Sequence, residues 1–241
     1  MDTLRLSGKK PRMIAHRGLS GIELENTCSA FVAAGNRTYF GIETDVHVTR
    51  DGEYIIIHDD TTRRVAGDDL KVEEATYETL RSLRLKDVDG KRGRTDLRLP
   101  SLREYIGVCR KYEKTSVLEL KNPMAGEHVD RIIDIVREEG WLEKTIFISF
   151  DLDNLIHMRK RLPEQPAQYL VEKGFDWDAA LSALRTYRLG LDIQFDLLTE
   201  ERVRALHGMG AEVNVWTVNH LDDAERLAAW GVDYITTNII E

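Results

Sequence analysis

Short apolar runs alternate along the chain with longer segments in which apolar residues recur every three to four positions. The short runs lie at 13–16, 41–48, 116–121, 145–150, 167–171, 189–193, 212–218 and 233–237. Helical periodicity occupies 25–34, 101–112, 127–139, 152–161, 177–186, 200–209 and 221–230. A strand followed repeatedly by a helix is typical of a parallel sheet. Eight predicted barrel strands in 241 residues favour a closed (β/α)8 TIM barrel over an open, doubly wound sheet.

One stretch, from about residue 47 to 100, departs from this repeat. An Ile-rich extended run at 54–58 follows Asp51-Gly52, a pair that favours a hairpin. Residues 59–100 are rich in Arg, Lys, Asp and Gly, with one helical piece near 77–83. We therefore predict one α/β domain over residues 1–241, with a short insertion after the second strand. No eighth helix follows the last strand, and a homo-oligomer that buries this end of the barrel stays open as an alternative.

Composition narrows the class of protein. The chain is 42% hydrophobic and 32% charged, as in soluble globular proteins. Its net charge of -8, without a basic run, argues against nucleic acid as a partner. Cys28 and Cys109 show neither pairing nor metal-ligand spacing, which is typical of free thiols in a reduced compartment. We find no signal peptide and no apolar run near the roughly 20 residues of a membrane span, so we expect a cytoplasmic protein.

Three carboxylates fall at the carboxyl ends of predicted strands, where α/β barrels place their reacting groups. Glu43 and Asp45 stand two residues apart, so they share one face of a strand, and Glu119 ends the next barrel strand. Carboxylates this close repel one another, and a divalent cation would offset their charge. An all-oxygen ligand set favours Mg2+ or Ca2+. The alternatives are a solvated strand end and, for Glu119, a buried ion pair with Lys121.

Histidines and cations end the same strands. His16 and His58 each follow an apolar run, as placed acid/base groups do, although hydrogen-bonded structural histidines are the alternative. With Arg17, Lys121 and a divalent metal added to the carboxylates, the site would carry about +1, which matches a singly charged phosphodiester.

Two further features leave alternatives open. Trp216 would either pack against a ligand or belong to the core. Three cations of the insertion, Arg63, Arg64 and Lys71, would form either a solvated basic face or a second contact for phosphate.

An ordered set of motifs carries a resemblance over the chain from about residue 12 onward. The set is His16-Arg17-Gly18, Glu25-Asn26-Thr27, Ile42-Glu43-Thr44-Asp45-Val46, Thr49-Arg50-Asp51-Gly52, His58-Asp59, Leu118-Glu119-Leu120-Lys121, Ser149-Phe150, Trp216-Thr217-Val218-Asn219 and Thr237-Asn238. Together they resemble the glycerophosphodiester phosphodiesterase family. One departure is Leu24, where the family commonly has proline.

The resemblance implies a barrel with an insertion between its second strand and the following helix. It implies metal ligation by Glu43, Asp45 and Glu119 and an acid/base pair of His16 and His58. It also implies phosphate contacts from the side chains of Arg17 and Lys121. The expected reaction is metal-dependent hydrolysis of a small-molecule glycerophosphodiester to sn-glycerol 3-phosphate and an alcohol. A phospholipase D-like lipid hydrolase, which would need an apolar rim, and a non-catalytic phosphodiester-binding barrel are the alternatives.

Overall fold

The computed structural model describes residues 2–8 and 11–241, and a closed barrel of parallel strands lies at its centre. Its strands are β1 (Arg12–Ala15), β2 (Gly41–Val48), β3 (Tyr54–Ile56), β4 (Thr115–Leu120), β5 (Thr145–Ser149), β6 (Ala167–Val171), β7 (Gly190–Gln194), β8 (Val213–Trp216) and β9 (Tyr234–Thr237). Every strand except β3 pairs in parallel with two neighbours, and β1 closes the barrel by pairing with both β2 and β9. The predicted (β/α)8 TIM barrel is confirmed.

Helices surround this barrel and connect its strands. They are α1 (Cys28–Gly35), α2 (Arg63–Ala66), α3 (Tyr77–Ser82), α4 (Leu102–Lys111), α5 (Gly126–Glu138), α6 (Leu152–Arg161), α7 (Trp177–Tyr187), α8 (Glu200–Gly208) and α9 (Leu221–Trp230). At the start of α4 the Ser101 Oγ accepts from the Glu104 N–H, and the Glu104 carboxylate accepts from the Ser101 N–H. This reciprocal capping box satisfies two amides that the helix cannot pair itself.

The first helix begins later than its apolar pattern predicts. Periodicity starts at Glu25, but α1 begins at Cys28 with Thr27 as its N-cap. Asn26 has a φ of 53°, in the left-handed region, which a helix interior does not accept. The side chain of Asn26 instead donates to the carboxylate of Asp45, so residues 25–27 are held beside Asp45 and do not form the first turn of α1.

Alternation along the strands separates two apolar layers. Residues facing outward, such as Ile42, Leu118 and Leu120, pack against the helices. A smaller cluster fills the barrel interior, composed of Ile14, Val117, Ile146, Ile148, Leu170 and Tyr234, with Trp216 packed against it. This interior layer forms an apolar floor beneath the polar side chains at the carboxyl ends of the strands.

The insertion between β2 and α4 has an apolar core of its own. Strand β3 pairs antiparallel with β2, as the Asp51-Gly52 turn predicts. Beyond it, α2 and α3 enclose a buried cluster of Ile55, Ile57, Val65, Ala66, Val72, Leu80, Leu85, Leu97 and Leu99. The insertion is therefore a packed element that holds its side chains firmly beside the carboxyl end of β2.

Residues 4–6 run beside the end of the chain. Leu4 forms a parallel bridge with Ile240, and the Leu6 N–H donates to the Glu241 carbonyl at 3.0 Å. A homo-oligomer stays a prediction.

Met1, Lys9 and Lys10, part of the polar N-terminal segment, lie outside the described residues. Among residues 2–8 and 11–241, no helix has both the length and the apolar character required to cross a bilayer.

Candidate active site

Three carboxylates converge at the carboxyl ends of β2 and β4. Strand register pairs Asp45 with Glu119, and Glu43 lies on the same face of β2. Each of the three offers an oxygen within 4.8 Å of the others, and all three side chains are buried. Burial and the charge of Asp45 raise the pKa of Glu43 and raise that of Glu119 to about 8. Against the effect of burial, Lys121 and Arg17 hold the pKa of Asp45 below its usual value.

This cluster fits a divalent cation. The Asp45 Oδ1 is buried without a hydrogen-bond partner among the described residues. A buried carboxylate oxygen without a hydrogen bond is costly, and an oxygen-only set of three carboxylates is what hard cations bind. A bound cation would also remove the mutual repulsion that raises the pKa values of Glu43 and Glu119.

Two basic side chains lie against these carboxylates. The backbone N–H of Arg17 donates to the Glu43 carboxylate at 2.7 Å, and the Arg17 guanidinium lies 3.8 Å from Asp45. The Lys121 Nζ lies 2.8 Å from Glu119 and 3.6 Å from Asp45. Both cations are mostly buried and both line the cavity described below, so they are placed to meet an anionic group there.

His16, directly after β1, is held in a polar pocket. Its Nδ1 lies 2.7 Å from the Asn238 Oδ1, an oxygen that also accepts from the Ser20 hydroxyl. Burial and the charge of Arg17 lower the pKa of His16 to about 4, so the imidazole is neutral at pH 7. Since an amide oxygen can only accept, Nδ1 carries the proton and Nε2 presents its lone pair.

His58, at the end of the extended run after β3, has a carboxylate partner instead. Its Nδ1 lies 2.8 Å from the Asp59 Oδ1, and its side chain is one-third exposed. Burial lowers the pKa of His58 below its usual value, and the charge of Asp45 and the bond to Asp59 offset this only in part. Hydrogen bonds from Arg64 hold the pKa of Asp59 at about 2, so this partner remains ionised.

Arg64 of α2 connects the two histidine regions. Its guanidinium donates to Asp59 at 2.7 and 2.9 Å and to Glu25 at 2.7 and 2.8 Å. Glu25 in turn accepts from the Arg17 guanidinium at 2.9 Å. Arg64 is therefore held by two carboxylates and is not free to bind phosphate, one of the two roles expected for it. It fixes the orientation of the groups that hold His58 and Arg17.

The eight predicted site residues meet around one cavity of about 470 Å³. One side is lined by His16, Arg17, Glu43, His58, Glu119 and Lys121, with Asp45 directly behind them. The opposite side is lined by Ile148, Phe150, Leu170, Glu172, Asp192, Trp216, Thr217 and Thr236. The rings of Phe150 and Trp216 meet edge to face with centroids 5.7 Å apart. Of the large apolar side chains that are exposed among the described residues, Phe150 alone lines this cavity.

Sequence reasoning missed the residues that support the site from behind. His47 is fully buried, with Nδ1 3.1 Å from Glu73 and Nε2 3.4 Å from the His58 carbonyl oxygen. The amide of Asn122 donates to Glu73 at 2.9 Å and to Asp60 at 3.0 Å. These bonds tie the insertion to β2 and to the segment after β4. The spacing 43, 45, 47 continues one strand face and could have indicated His47.

Asp192 was also missed. It lies within the predicted strand at 189–193, where it is the one charged residue of an otherwise apolar stretch. Its side chain is 2% exposed and faces the cavity.

Comparisons with known proteins identify the family of the chain. The model of the Glycerophosphoryl diester phosphodiesterase family matches residues 16–241. A glycerophosphodiester phosphodiesterase of Bacillus subtilis is 27% identical over 97% of this chain and 85% of its own length. The corresponding enzyme of Caldanaerobacter subterraneus is 29% identical over 95% of this chain and 94% of its own.

Solved structures extend the likeness to three dimensions. An Oleispira antarctica phosphodiesterase in complex with its product sn-glycerol-3-phosphate has a TM-score of 0.87 and 26% identity, covering 95% of this chain and 93% of that one. A Thermotoga maritima glycerophosphodiester phosphodiesterase has a TM-score of 0.79 and 25% identity, with 96% of each chain covered. The chain therefore belongs to the glycerophosphoryl diester phosphodiesterase family.

Proposed function

We propose that this protein hydrolyses glycerophosphodiesters to sn-glycerol 3-phosphate and an alcohol, with residues 1–241 acting as one catalytic domain. The observation that carries the proposal is the buried carboxylate cluster, Glu43, Asp45 and Glu119, which lies on the same cavity as two histidines and two cations. The Oleispira antarctica relative, solved with sn-glycerol-3-phosphate as its product, supports the reaction.

In this proposal Glu43, Asp45 and Glu119 hold one divalent cation, Mg2+ or Ca2+. A cation held there would supply positive charge for the phosphoryl oxygens and Lewis acidity at the phosphorus centre. Arg17 and Lys121 donate to the non-bridging oxygens and orient the phosphodiester. Both cations already lie beside carboxylates, so their positions are set before the substrate arrives.

The two histidines divide the proton transfers. His16 is neutral with its Nε2 lone pair available, because Asn238 holds the proton on Nδ1. It accepts the proton of the attacking hydroxyl, either water or the adjacent glycerol hydroxyl. His58 is more exposed, and the ionised Asp59 stabilises its imidazolium form. It donates a proton to the departing alkoxide.

The test is a substrate panel assayed with EDTA and after adding back Mg2+, Ca2+ or Mn2+. Glycerophosphocholine and glycerophosphoethanolamine should be hydrolysed only with metal, and sn-glycerol 3-phosphate should accumulate in step with the free alcohol. Glycerol 3-phosphate offered as a substrate should react at least about 10-fold more slowly, because a doubly charged monoester exceeds the net charge of about +1 of the loaded site. Full activity in EDTA would refute metal dependence. A monoester rate equal to the diester rate would indicate a phosphatase instead.

A further inference from the structure

The half of the cavity opposite the carboxylate cluster contains an ionisable group that the proposed reaction does not use. Asp192, in the middle of β7, is 2% exposed and lines the cavity. Its Oδ1 has no hydrogen-bond partner among the described residues. Buried carboxyl groups without a partner destabilise a fold, so an unpaired one facing a cavity calls for a ligand.

Strand geometry accounts for the direction of the side chain. Leu191 and Ile193, on either side of Asp192, face outward into the core between barrel and helices. Asp192 must then face the barrel interior, where its register neighbours are Leu170 on β6 and Asn214 on β8. Asp192 therefore lies on a strand that is paired on both sides, and its carboxyl group points into the barrel independently of any loop conformation.

A second unpartnered polar atom lies on the same wall. The indole Nε1 of Trp216 is buried and has no hydrogen-bond partner among the described residues. Trp216 stands two positions after Asn214 on the same face of β8, which makes it the diagonal neighbour of Asp192. The wall thus offers a carboxyl group beside an N–H that can only donate.

We propose that Asp192 and the indole N–H of Trp216 together bind a hydroxyl group of the phosphodiester substrate, which makes Asp192 a specificity-determining residue. A hydroxyl can accept from the indole while it donates to the carboxyl group. This assignment rests on the proposed function, because it places an alcohol portion of the substrate against β7 and β8 while the phosphoryl group lies at the carboxylate cluster.

The electrostatics favour a hydroxyl over a cationic group. Burial raises the pKa of Asp192 to about 8, so the empty site holds a neutral carboxylic acid at pH 7. A neutral acid can bond to a hydroxyl without adding a further negative charge to a cavity that is already lined by Glu43, Glu119 and Glu172. An ammonium group would require Asp192 to ionise first.

The nearby Gln168 shows by contrast what a structural polar group does here. Its Nε2 is also unpartnered, but its Oε1 accepts from the Asn214 amide at 3.0 Å, and Gln168 does not line the cavity. It is anchored within the barrel interior. Asp192 has no such anchor at its Oδ1.

The experiment pairs removal of the side chain with removal of the hydroxyl. Glycerophosphocholine has hydroxyls only on its glycerol portion, and its 1-deoxy and 2-deoxy analogues each lack one of them. We expect Asp192→Ala to lower kcat/KM for glycerophosphocholine by about 10- to 100-fold, the range of one lost buried hydrogen bond. For the analogue that lacks the bound hydroxyl, the same substitution should cost less than about 3-fold in kcat/KM. If the 2-deoxy analogue is not turned over because its attacking hydroxyl is missing, the same limit applies to its inhibition constant against glycerophosphocholine.

Three variants make the result specific. Asp192→Asn retains hydrogen-bonding capacity and should keep most of the activity. Trp216→Phe removes the indole N–H and should show the same dependence on the deoxy analogues, which tests the site even if Asp192→Ala fails to fold. Leu170→Val alters the register neighbour of Asp192. The Leu170 side chain has no polar atom, so this substitution should change kcat/KM equally for all three substrates.

The source of the hydroxyl is decided by a fourth substrate. In one outcome, Asp192→Ala lowers kcat/KM more for glycerophosphoglycerol than for glycerophosphocholine, and equally for both deoxy analogues. That outcome would place the bound hydroxyl on the departing alcohol and still support the assignment. An equal loss on all four substrates, or none, would overturn it. No turnover of any diester by the wild-type enzyme would instead overturn the proposed function, and this assignment with it.

Discussion

Replacing Asp192 by Asn should stabilise the fold at neutral pH by a large and pH-dependent amount. Burial raises the pKa of this carboxyl group from an ordinary value of 3.8 to about 8, so the folded protein binds a proton that the unfolded chain releases. Folding stability attributable to Asp192 is therefore lost as pH rises above about 4, and the loss is complete near pH 8. Asn has the shape of the protonated acid and does not titrate, so the variant avoids this loss.

The magnitude follows from the same pKa values. Each pH unit above 3.8 costs the wild-type protein about 1.4 kcal/mol of unfolding free energy until the folded pKa is reached. The variant should therefore exceed the wild type by about 1 kcal/mol at pH 4.5 and by about 4 kcal/mol at pH 7. All other titrating groups contribute equally to both proteins, so the difference between them isolates Asp192.

Urea unfolding of both proteins at pH 4.5, 5.5, 6.5 and 7.5, followed by circular dichroism, measures this difference directly. A gain that is constant across the pH range would mean that the folded pKa of Asp192 is ordinary. A variant that is less stable than the wild type at pH 7.5 would mean that the carboxylate has a partner in the folded protein. Either result would refute the reasoning.

Three further perturbations address the rest of the site. Asp45→Asn should abolish the rise in Tm that Mg2+ or Ca2+ produces and lower kcat by about 10²-fold or more, which thermal unfolding with and without metal will measure; an unchanged metal response would exclude Asp45 as a ligand. His58→Gln should lower kcat by about 10²-fold with Tm retained, whereas His207→Gln, which changes a His–Asp pair outside the cavity, should leave kcat unchanged, and equal kcat values would contradict the acid/base role. Arg64→Ala should lower kcat about 10-fold because its bridge between two carboxylates is lost, yet it should reduce stability by no more than about 1 kcal/mol because the side chain is half exposed. Arg63→Ala is the matched control. Equal kinetics for the two variants would argue against the bridge.

Much of the fold follows from period alone. Parallel strands buried on both faces produce short apolar runs, and amphipathic helices produce the intervening pattern, so the order of elements was predictable. The apolar periodicity predicts the start of α1 too early because a local pattern contains no information about the hydrogen bond that the Asn26 side chain donates to Asp45 on β2. A tertiary contact there overrides a helical periodicity.

The candidate site divides in the same way. Polar residues two positions apart on one strand, such as Glu43 and Asp45, share a face of that strand, and the sequence alone shows this. Arg64 does not, because its two carboxylate partners are 5 and 39 residues away in sequence and only the folded insertion brings them together. Asp192 lacks a pattern altogether, since a single polar residue within an apolar strand is equally compatible with an outward or an inward position.

The division of the cavity into two unlike walls has a consequence for how such an enzyme can change. Its ionisable machinery comes from β1, β2, β4 and the insertion, whereas the facing wall comes from β5 to β9. Substitutions at Phe150, Leu170, Glu172 and Asp192 can therefore reshape the space for the alcohol without touching a charged group of the opposite wall. Natural divergence, or a directed-evolution library restricted to these four positions, can explore other phosphodiester substrates while the ionisable groups of the opposite wall stay unchanged.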